Sequence, residues 1–161
     1  MMDLKIERAS MADLSFVMMT ERTEGYDTLV GRWDEARHLD AIDDSRYAYF
    51  LARDCAAPVG FSIVRDWGSP ERVTCLKRIA VTSPGNGLGR RFLRAIVDAV
   101  FRETEAHRIW LGVFPENERA RRAYEAVGFK AEGIARGSAF FGGIYRDELI
   151  MAALRTEWIA A

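Results

Sequence analysis

The chain has 161 residues, 49% hydrophobic and 29% charged, with 23 Lys and Arg against 24 Asp and Glu for a formal net charge of −1. That balance excludes a disordered or fibrous chain and gives no electrostatic reason to bind nucleic acid or an anionic membrane surface. No apolar run approaches the roughly 18 residues of a membrane span, and Met1-Met2-Asp3-Leu4-Lys5 lacks the basic-then-apolar order of a secretory leader. Cys55 and Cys75 stand alone, without a CxxC or a nearby His. The expectation is a cytoplasmic protein with reduced thiols and no metal site.

In chain order, residues 4–9 alternate and predict a short strand. Ser10, with Asp13 three residues on, predicts a capped helix carrying Leu14, Phe16, Val17 and Met18 on its apolar side. Trp33, Ala36, Leu39 and Ile42 hold helical spacing until Asp43-Asp44-Ser45 ends it. Strand-like stretches follow at 47–53, 58–67 and 73–81, separated by turns at 54–57 and 68–71. A glycine-bearing loop at 83–87 then opens a long helix with Leu88, Phe92, Leu93, Ile96, Val97, Val100 and Phe101 on its buried side. Residues 108–114 read as a strand and 117–127 as an amphipathic helix closed by Gly128. Two final strands, 129–135 and 144–154, flank Gly137, Gly142 and Gly143. With neither repeat nor linker, this order predicts one α+β (α/β) domain built on a mixed central sheet flanked by helices.

The sharpest local feature runs from Val81 through Pro84-Gly85-Asn86-Gly87-Leu88-Gly89-Arg90-Arg91. A strand ends, glycines turn the backbone, and a helix begins at once. Such a junction aims free N–H groups and the positive end of a helix at one point, which suits a phosphate or pyrophosphate. A P-loop would end in Gly-Lys-Ser/Thr, and this loop ends in Gly-Arg-Arg. A Rossmann fingerprint would lie near the first strand of a βαβ unit, whereas here several strands precede it. An ordinary glycine turn ahead of an amphipathic helix has the same letters.

Downstream, Asn117 and Tyr124 are two helical turns apart and share a face, with the small Ala120 between them. The stretch 117–129 spells Asn-x-x-Ala-x-x-x-Tyr-x-x-x-Gly-Phe. The two motifs, in this order and spacing, resemble those of the GCN5-related N-acetyltransferase (GNAT) superfamily, whose Gly-x-Gly-x-Gly acyl-CoA loop corresponds to residues 81–89. The ending Gly143-Ile144-Tyr145-Arg146-Asp147-Glu148-Leu149-Ile150-Met151 is similar to the branch that includes ribosomal-protein and polyamine acetyltransferases.

The resemblance implies a single N-acetyltransferase domain over 1–161 with the GNAT-like acyl-CoA N-acyltransferase fold. It further implies acetyl-CoA as co-substrate, no metal, and direct transfer of acetyl to a primary amine of a small molecule, peptide or protein through a ternary complex. The pantetheine arm would pair with the backbone of Ile79, Ala80 and Val81. The amides of Asn86, Gly87, Leu88, Gly89 and Arg90 would hold the pyrophosphate. Asn117 would bond to the arm, and Arg119, Arg121 or Arg122 would lie near the adenosine phosphates. Tyr124 would be the general acid that protonates the departing thiolate, because a phenol near pKa 10 keeps its proton at neutral pH. The chain departs from the family in two places. Pro84 stands where an Arg or Gln is usual, and Lys77-Arg78 stands where relatives often carry a glutamate. The alternative reading is therefore a non-catalytic acyl-CoA-binding regulatory or sensor module.

The acceptor side draws on the early helices, the loop near Asp66 and the final hairpin. Its acid–base candidates are Glu21, Glu24, His38, Asp66 and Glu148, with His38 read as a surface histidine and Asp147 and Glu148 as groups that bind a cationic acceptor or pair with Arg146. Tyr26, Trp33, Phe140, Phe141 and Tyr145 are candidate pocket walls, although aromatics are more often core. Expected partners are an amine acceptor and a second copy of the chain, a homodimer paired through the C-terminal strand. Neither nucleic acid nor a membrane is expected.

Overall fold

A computed structural model of the chain describes residues 3–160. Its strands are β1 (Leu4–Arg8), β2 (Tyr47–Asp54), β3 (Ala57–Arg65), β4 (Val73–Val81), β5 (Arg108–Val113), β6 (Lys130–Phe141) and β7 (Ile144–Leu154). They form one seven-stranded sheet in the order β1-β2-β3-β4-β5-β7-β6. The helices are α1 (Leu14–Glu21), α2 (Glu35–Asp43), α3 (Leu88–Glu103), α4 (Glu118–Val127) and α5 (Arg155–Ala160). None of them is long and apolar enough to cross a membrane, among the described residues.

Strand alternation divides the core into two. On one face Phe50, Val64, Leu76, Ile109, Leu111 and Met151 pack against Phe92, Leu93, Ile96 and Val100 of α3. On the other, Tyr49, Leu51, Phe61 and Ile63 pack under Leu14 and Val17 of α1 and Ala41 of α2. All neighbouring strands are antiparallel except β4 and β5. That parallel pair meets only at Val73↔Arg108, Thr74↔Ile109 and Cys75↔Trp110. Beyond it β4 stays with β3 as far as Gly60↔Val81, while β5 follows β7 as far as Val113↔Leu149. The register of β3 on β4 shifts at this point, stepping from Ile63↔Arg78 to Val64↔Leu76 and leaving Lys77 as the extra residue. A bulge of this kind bends its strand and re-aims the backbone beyond it. The sheet therefore opens along the last part of β4.

The structure moves several of the expected boundaries. The segment after Ser10 begins as a 3-10 turn (Met11–Asp13) before α1, with the Ser10 amide donating to Asp13 Oδ2 at 2.8 Å. β6 runs on through Gly137 to Phe141, because the register slips between Ala135 and Ala139 and pairing then resumes. α5, which is too short to show a period, is tied down by Arg155. Its guanidinium donates to the carbonyls of Phe101, Thr104 and Ala106 at 2.7–2.8 Å, satisfying the C-terminal end of α3.

His38 is no surface residue: it is fully buried. Its Nε2 lies 2.9 Å from Glu21 Oε1 and its Nδ1 2.8 Å from the Tyr49 hydroxyl. Glu21 is also fully buried and accepts from Arg78 of β4 at 3.1 Å and from Arg22 at 2.8 Å. Arg78 and Arg37 each place a guanidinium over the Trp33 ring, 4.9 and 4.2 Å from its centroid. One polar cluster thus joins α1, α2, β2 and β4 beneath the loop that links the two helices.

Burial alone would raise the Glu21 carboxyl. The His38 hydrogen bond and the Arg78 charge outweigh it and hold the group below its ordinary range. A folded-state pKa below the unfolded one contributes stability above the unfolded value, and that stability is lost as pH falls through the folded one. Removing one partner of such a buried pair costs about 3–5 kcal/mol. Glu21→Gln is accordingly expected to lower Tm by roughly 10 °C at neutral pH, at about 2–4 °C per kcal/mol for this length. The gap from wild type should narrow as pH falls below the ordinary carboxylate range and on through the lowered folded-state value, where the carboxylate takes up its proton. An equal gap at every pH would show that the charge contributes nothing.

Candidate active site

At the open end of β4 the chain enters the glycine loop. The Val81 carbonyl accepts from the Tyr26 hydroxyl at 2.6 Å, and the Thr82 amide donates to Val59 at 2.9 Å. Gly87 then caps α3 in the left-handed region, at φ 82°. An L side chain is strained there, so the sharp entry into the helix requires glycine. Asn86 Oδ1 accepts the Leu88 amide at 3.1 Å, and the Leu88 side chain is buried, so Leu88 serves the helix. The Gly89 and Arg90 amides have no acceptor among the described residues. Nothing lies within 4 Å of where a Cβ would stand at Gly85, Gly87 or Gly89. Directed N–H groups, a positive helix end and an empty cradle fit an anionic group.

The strand leading into this loop sends its side chains away from the opening. Ile79 packs into the α3 core and Ala80 into the α1–α2 core, which leaves backbone along the edge that faces away from β3. The first turn of α4 stands nearby. The Arg119 guanidinium acts on the Tyr26 phenol, whose pKa is nonetheless raised because burial outweighs that charge. The other two α4 arginines are engaged elsewhere, Arg121 with the Pro115 carbonyl at 2.8 Å and Arg122 with Glu118 at 3.4 Å.

Asn117 is the α4 N-cap, its Oδ1 accepting from the Ala120 amide at 3.3 Å. Two turns on, Tyr124 packs against the α3-side core and against Phe129, with ring centroids 5.8 Å apart. Burial pushes its phenol up to about 12. The side chain as a whole is only partly buried, and its hydroxyl donates to no described residue. The fold therefore holds a protonated O–H that no protein acceptor uses.

The opposite face is built by other segments. Gly112 of β5 points there, since Ile109, Leu111 and Val113 face α3. A Cβ at Gly112 would stand 2.8 Å from the Glu148 carboxylate carbon and nearer still to Oε2. Ser138 holds the other oxygen of Glu148 at 2.9 Å. On β4, Cys75 at the last pair with β5 is pushed up to about 11 by burial, and Lys77 just beyond it is lowered by burial and by its Arg65 and Arg78 neighbours. The Glu148 charge acts on both of them.

Arg146 does not pair with its acidic neighbours. It donates to the Thr28 carbonyl at 2.7 Å, pairs with Glu116, and lies 3.5 Å over the Phe114 ring. Asp147 instead accepts the Gly137 amide at 2.8 Å. Of the candidate pocket aromatics, Trp33 is buried and Phe141 stacks on Phe114, while Phe140 and Tyr145 stack on each other at the exposed tip of the hairpin. The roles of Tyr26 and Arg146 carry no motif. Gly112 had a readable sign, since a glycine inside a strand often marks a close approach.

The model of the acetyltransferase (GNAT) family matches residues 13–129. The chain belongs to that family. It is 37% identical over 73 residues to a probable N-acetyltransferase, YjcK, of Bacillus subtilis, covering 45% of this chain and 40% of that protein. It is 32% identical over 81 residues to a spermidine N(1)-acetyltransferase of Vibrio cholerae, covering 50% of this chain and 47% of that protein. Its matches thus span somewhat under half the length of these curated relatives. Among solved structures, the spermidine N-acetyltransferase of V. cholerae in complex with CoA and spermine superposes with a TM-score of 0.83 at 23% identity, covering 97% of this chain and 98% of that one. The mixed seven-stranded sheet flanked by helices is thus the GNAT fold.

Asn117→Ala removes the α4 cap and is expected to cost about 1 kcal/mol, a fall in Tm of roughly 2–4 °C. A thermal melt checks it. An unchanged Tm would mean that the cap adds nothing to the fold.

Proposed function

We propose that this protein is an acetyl-CoA-dependent N-acetyltransferase that moves an acetyl group directly to a primary amine. The observation that carries the reading is the Tyr124 hydroxyl, a phenol that keeps its proton at neutral pH and that no described residue accepts from, on the helix that packs against α3. Pure binding of a thioester needs no proton donor. Transfer does, because the departing thiolate must be neutralised.

In this reading the Gly89 and Arg90 amides, with the positive end of α3, hold the pyrophosphate of acetyl-CoA, and the loop backbone from Asn86 lets it approach. The exposed backbone edge of Ile79, Ala80 and Val81 takes the pantetheine amides as an added strand would. Tyr26 shares the Val81 carbonyl, which retains a second lone pair. Arg119 provides positive charge at the mouth of the opening, toward the adenosine phosphates. The bound thioester supplies the acyl group, and Tyr124 donates its proton where sulfur leaves.

The spermidine N(1)-acetyltransferases among the relatives make a polyamine one acceptor to test. Pairing of two chains through the β6–β7 hairpin belongs to the same reading, since Ile134, Phe140, Ile144 and Tyr145 are exposed there. A non-catalytic acyl-CoA sensor is the rival. It draws on Pro84, which gives the loop no side-chain donor.

Acetyl-CoA at one hundred times Kd should add about 2.7 kcal/mol and raise Tm by roughly 5–10 °C. CoA should do likewise, and ATP and NAD should do nothing at matched concentration. No shift with millimolar acetyl-CoA would sink the donor site. Tyr124→Phe is expected to lower kcat tenfold or more while leaving the acetyl-CoA shift intact. An unchanged kcat in single-turnover kinetics would remove Tyr124 from the acid role, and free-thiol release that no amine accelerates would favour the sensor.

A further inference from the structure

Resting on the acetyltransferase reading, we infer that Glu148 receives the ammonium group of the acceptor and takes its proton. The other acids of the acceptor side are committed or placed elsewhere. Glu21 is fully buried and held by Arg78, Arg22 and His38. Asp147 is bonded to the Gly137 amide, and Asp66 sits against Arg65 in a left-handed turn. Glu24 is exposed on the loop after α1. Glu148 of β7 alone among these acids lays its carboxylate against β5, at Gly112, past the point where β4 has parted from that strand.

Its placement there is built. The absence of a Cβ at Gly112 is what lets the carboxylate lie against the strand. Ser138 on β6 fixes one oxygen and leaves lone pairs on both. The side chain is half-buried, so an ammonium can reach it without the cost of a fully buried charge. Lys77 and Cys75 on β4 are near enough to feel its charge. Gly112 puts it on the α1–α2 side of the sheet, whereas Tyr124 packs on the α3 side. Aminolysis of a thioester needs this division, because the nitrogen must lose a proton while the sulfur gains one.

The ammonium gives one proton to the Glu148 carboxylate, which passes it to solvent, and the freed lone pair forms the N–C bond. The C–S bond breaks and the thiolate takes the Tyr124 proton. The second nitrogen proton leaves to water as the carbonyl re-forms, and the tyrosinate regains a proton from water. An ammonium and a thioester become an amide, a thiol and one released proton.

The need for such a group depends on the acceptor. An alkylamine near pKa 10.4 is protonated about 2,500-fold in excess at pH 7, and an α-amine near pKa 8 only about tenfold. Butylamine and glycinamide are therefore compared as acceptors at pH 7, alongside thermal shifts with acetyl-CoA. Glu148→Gln is expected to lower kcat/KM roughly 100-fold or more for butylamine and about tenfold or less for glycinamide, with the acetyl-CoA shift unchanged. Gly112→Ala keeps the carboxylate but displaces it, and is expected to give the same pattern with no further loss in the double variant. Calorimetric titration of butylamine into the CoA-saturated protein should show binding that Glu148→Gln weakens. Equal losses for both amines, no loss for either, or a loss that travels with the acetyl-CoA shift would each overturn the assignment. A wild-type protein that binds acetyl-CoA and acetylates no amine would instead overturn the acetyltransferase reading, and the assignment with it.

Discussion

β4 and β5 run parallel through only three residue pairs before they part, and every other feature of the candidate site follows from that separation. Backbone N–H and C=O groups removed from a ladder must find other partners, because leaving them unmet in a partly dry cleft is expensive. The extra residue at Lys77 bends β4 just where the pairing stops, and the pairing of β5 with β7 carries it away on the other side. The sheet is thereby left with an internal edge, between two strands and close to the core. Outer edges are liabilities that proteins cover. This inner one is flanked by helices, and in the proposed function it takes the extended, amide-bearing pantetheine arm.

The buried cluster of Glu21, His38, Arg78 and Tyr49 acts on the same opening from the α1–α2 side. Arg78 immediately precedes Ile79, and a Cβ at Gly31 would come within 2.6 Å of its Nη2, so the loop between α1 and α2 is moulded on this guanidinium. Glu21 receives the Trp33 amide at 3.3 Å, and Arg22 donates to the Trp33 carbonyl at 2.9 Å. A buried ionic cluster is seldom the most stabilising way to fill a core, and apolar side chains of similar volume often do as well. Its value here is geometric. It fixes the path of a loop with little regular structure, and that loop brings Tyr26 to Val81 and Thr28 to Arg146.

How much of this could be read from the sequence depends on the kind of interaction. The apolar spacing of α3, the alternation of β2 and β3, the bounds of β4 and β7 and the Gly128 cap are local patterns, and the structure reproduces them. The glycine loop was legible for the same reason, since left-handed turns and a free helix end are written in consecutive residues. His38 shows the limit. Arg37 beside it suggests a solvent face, yet its partners come from 17 residues before it and 11 after it. Side-chain pairing across such distances leaves no period in the chain. β6 ran past its expected end because a register slip at Gly137 is a property of two strands together.

The same distinction separates the two halves of the site. In the proposed function the donor half is made of main chain, the β4 edge and the first amides of α3, and main chain can be held in place by few residues with many side chains free to vary. Its acceptor half would be made of side chains from separate segments: Tyr26, Lys77, Glu148 and the clamp of Arg146 on Glu116 and Thr28. The family match ends at residue 129, before the β6–β7 hairpin that supplies Ser138, Arg146 and Glu148. A fold with a common donor cleft and a separately built acceptor wall can change its amine by altering the hairpin and the α1–α2 loop while the thioester stays where it is. In this chain that wall puts one carboxylate against a glycine of the central sheet, and if Glu148 takes the role inferred for it, the choice of acceptor rests more on what can reach that carboxylate than on anything in the glycine loop.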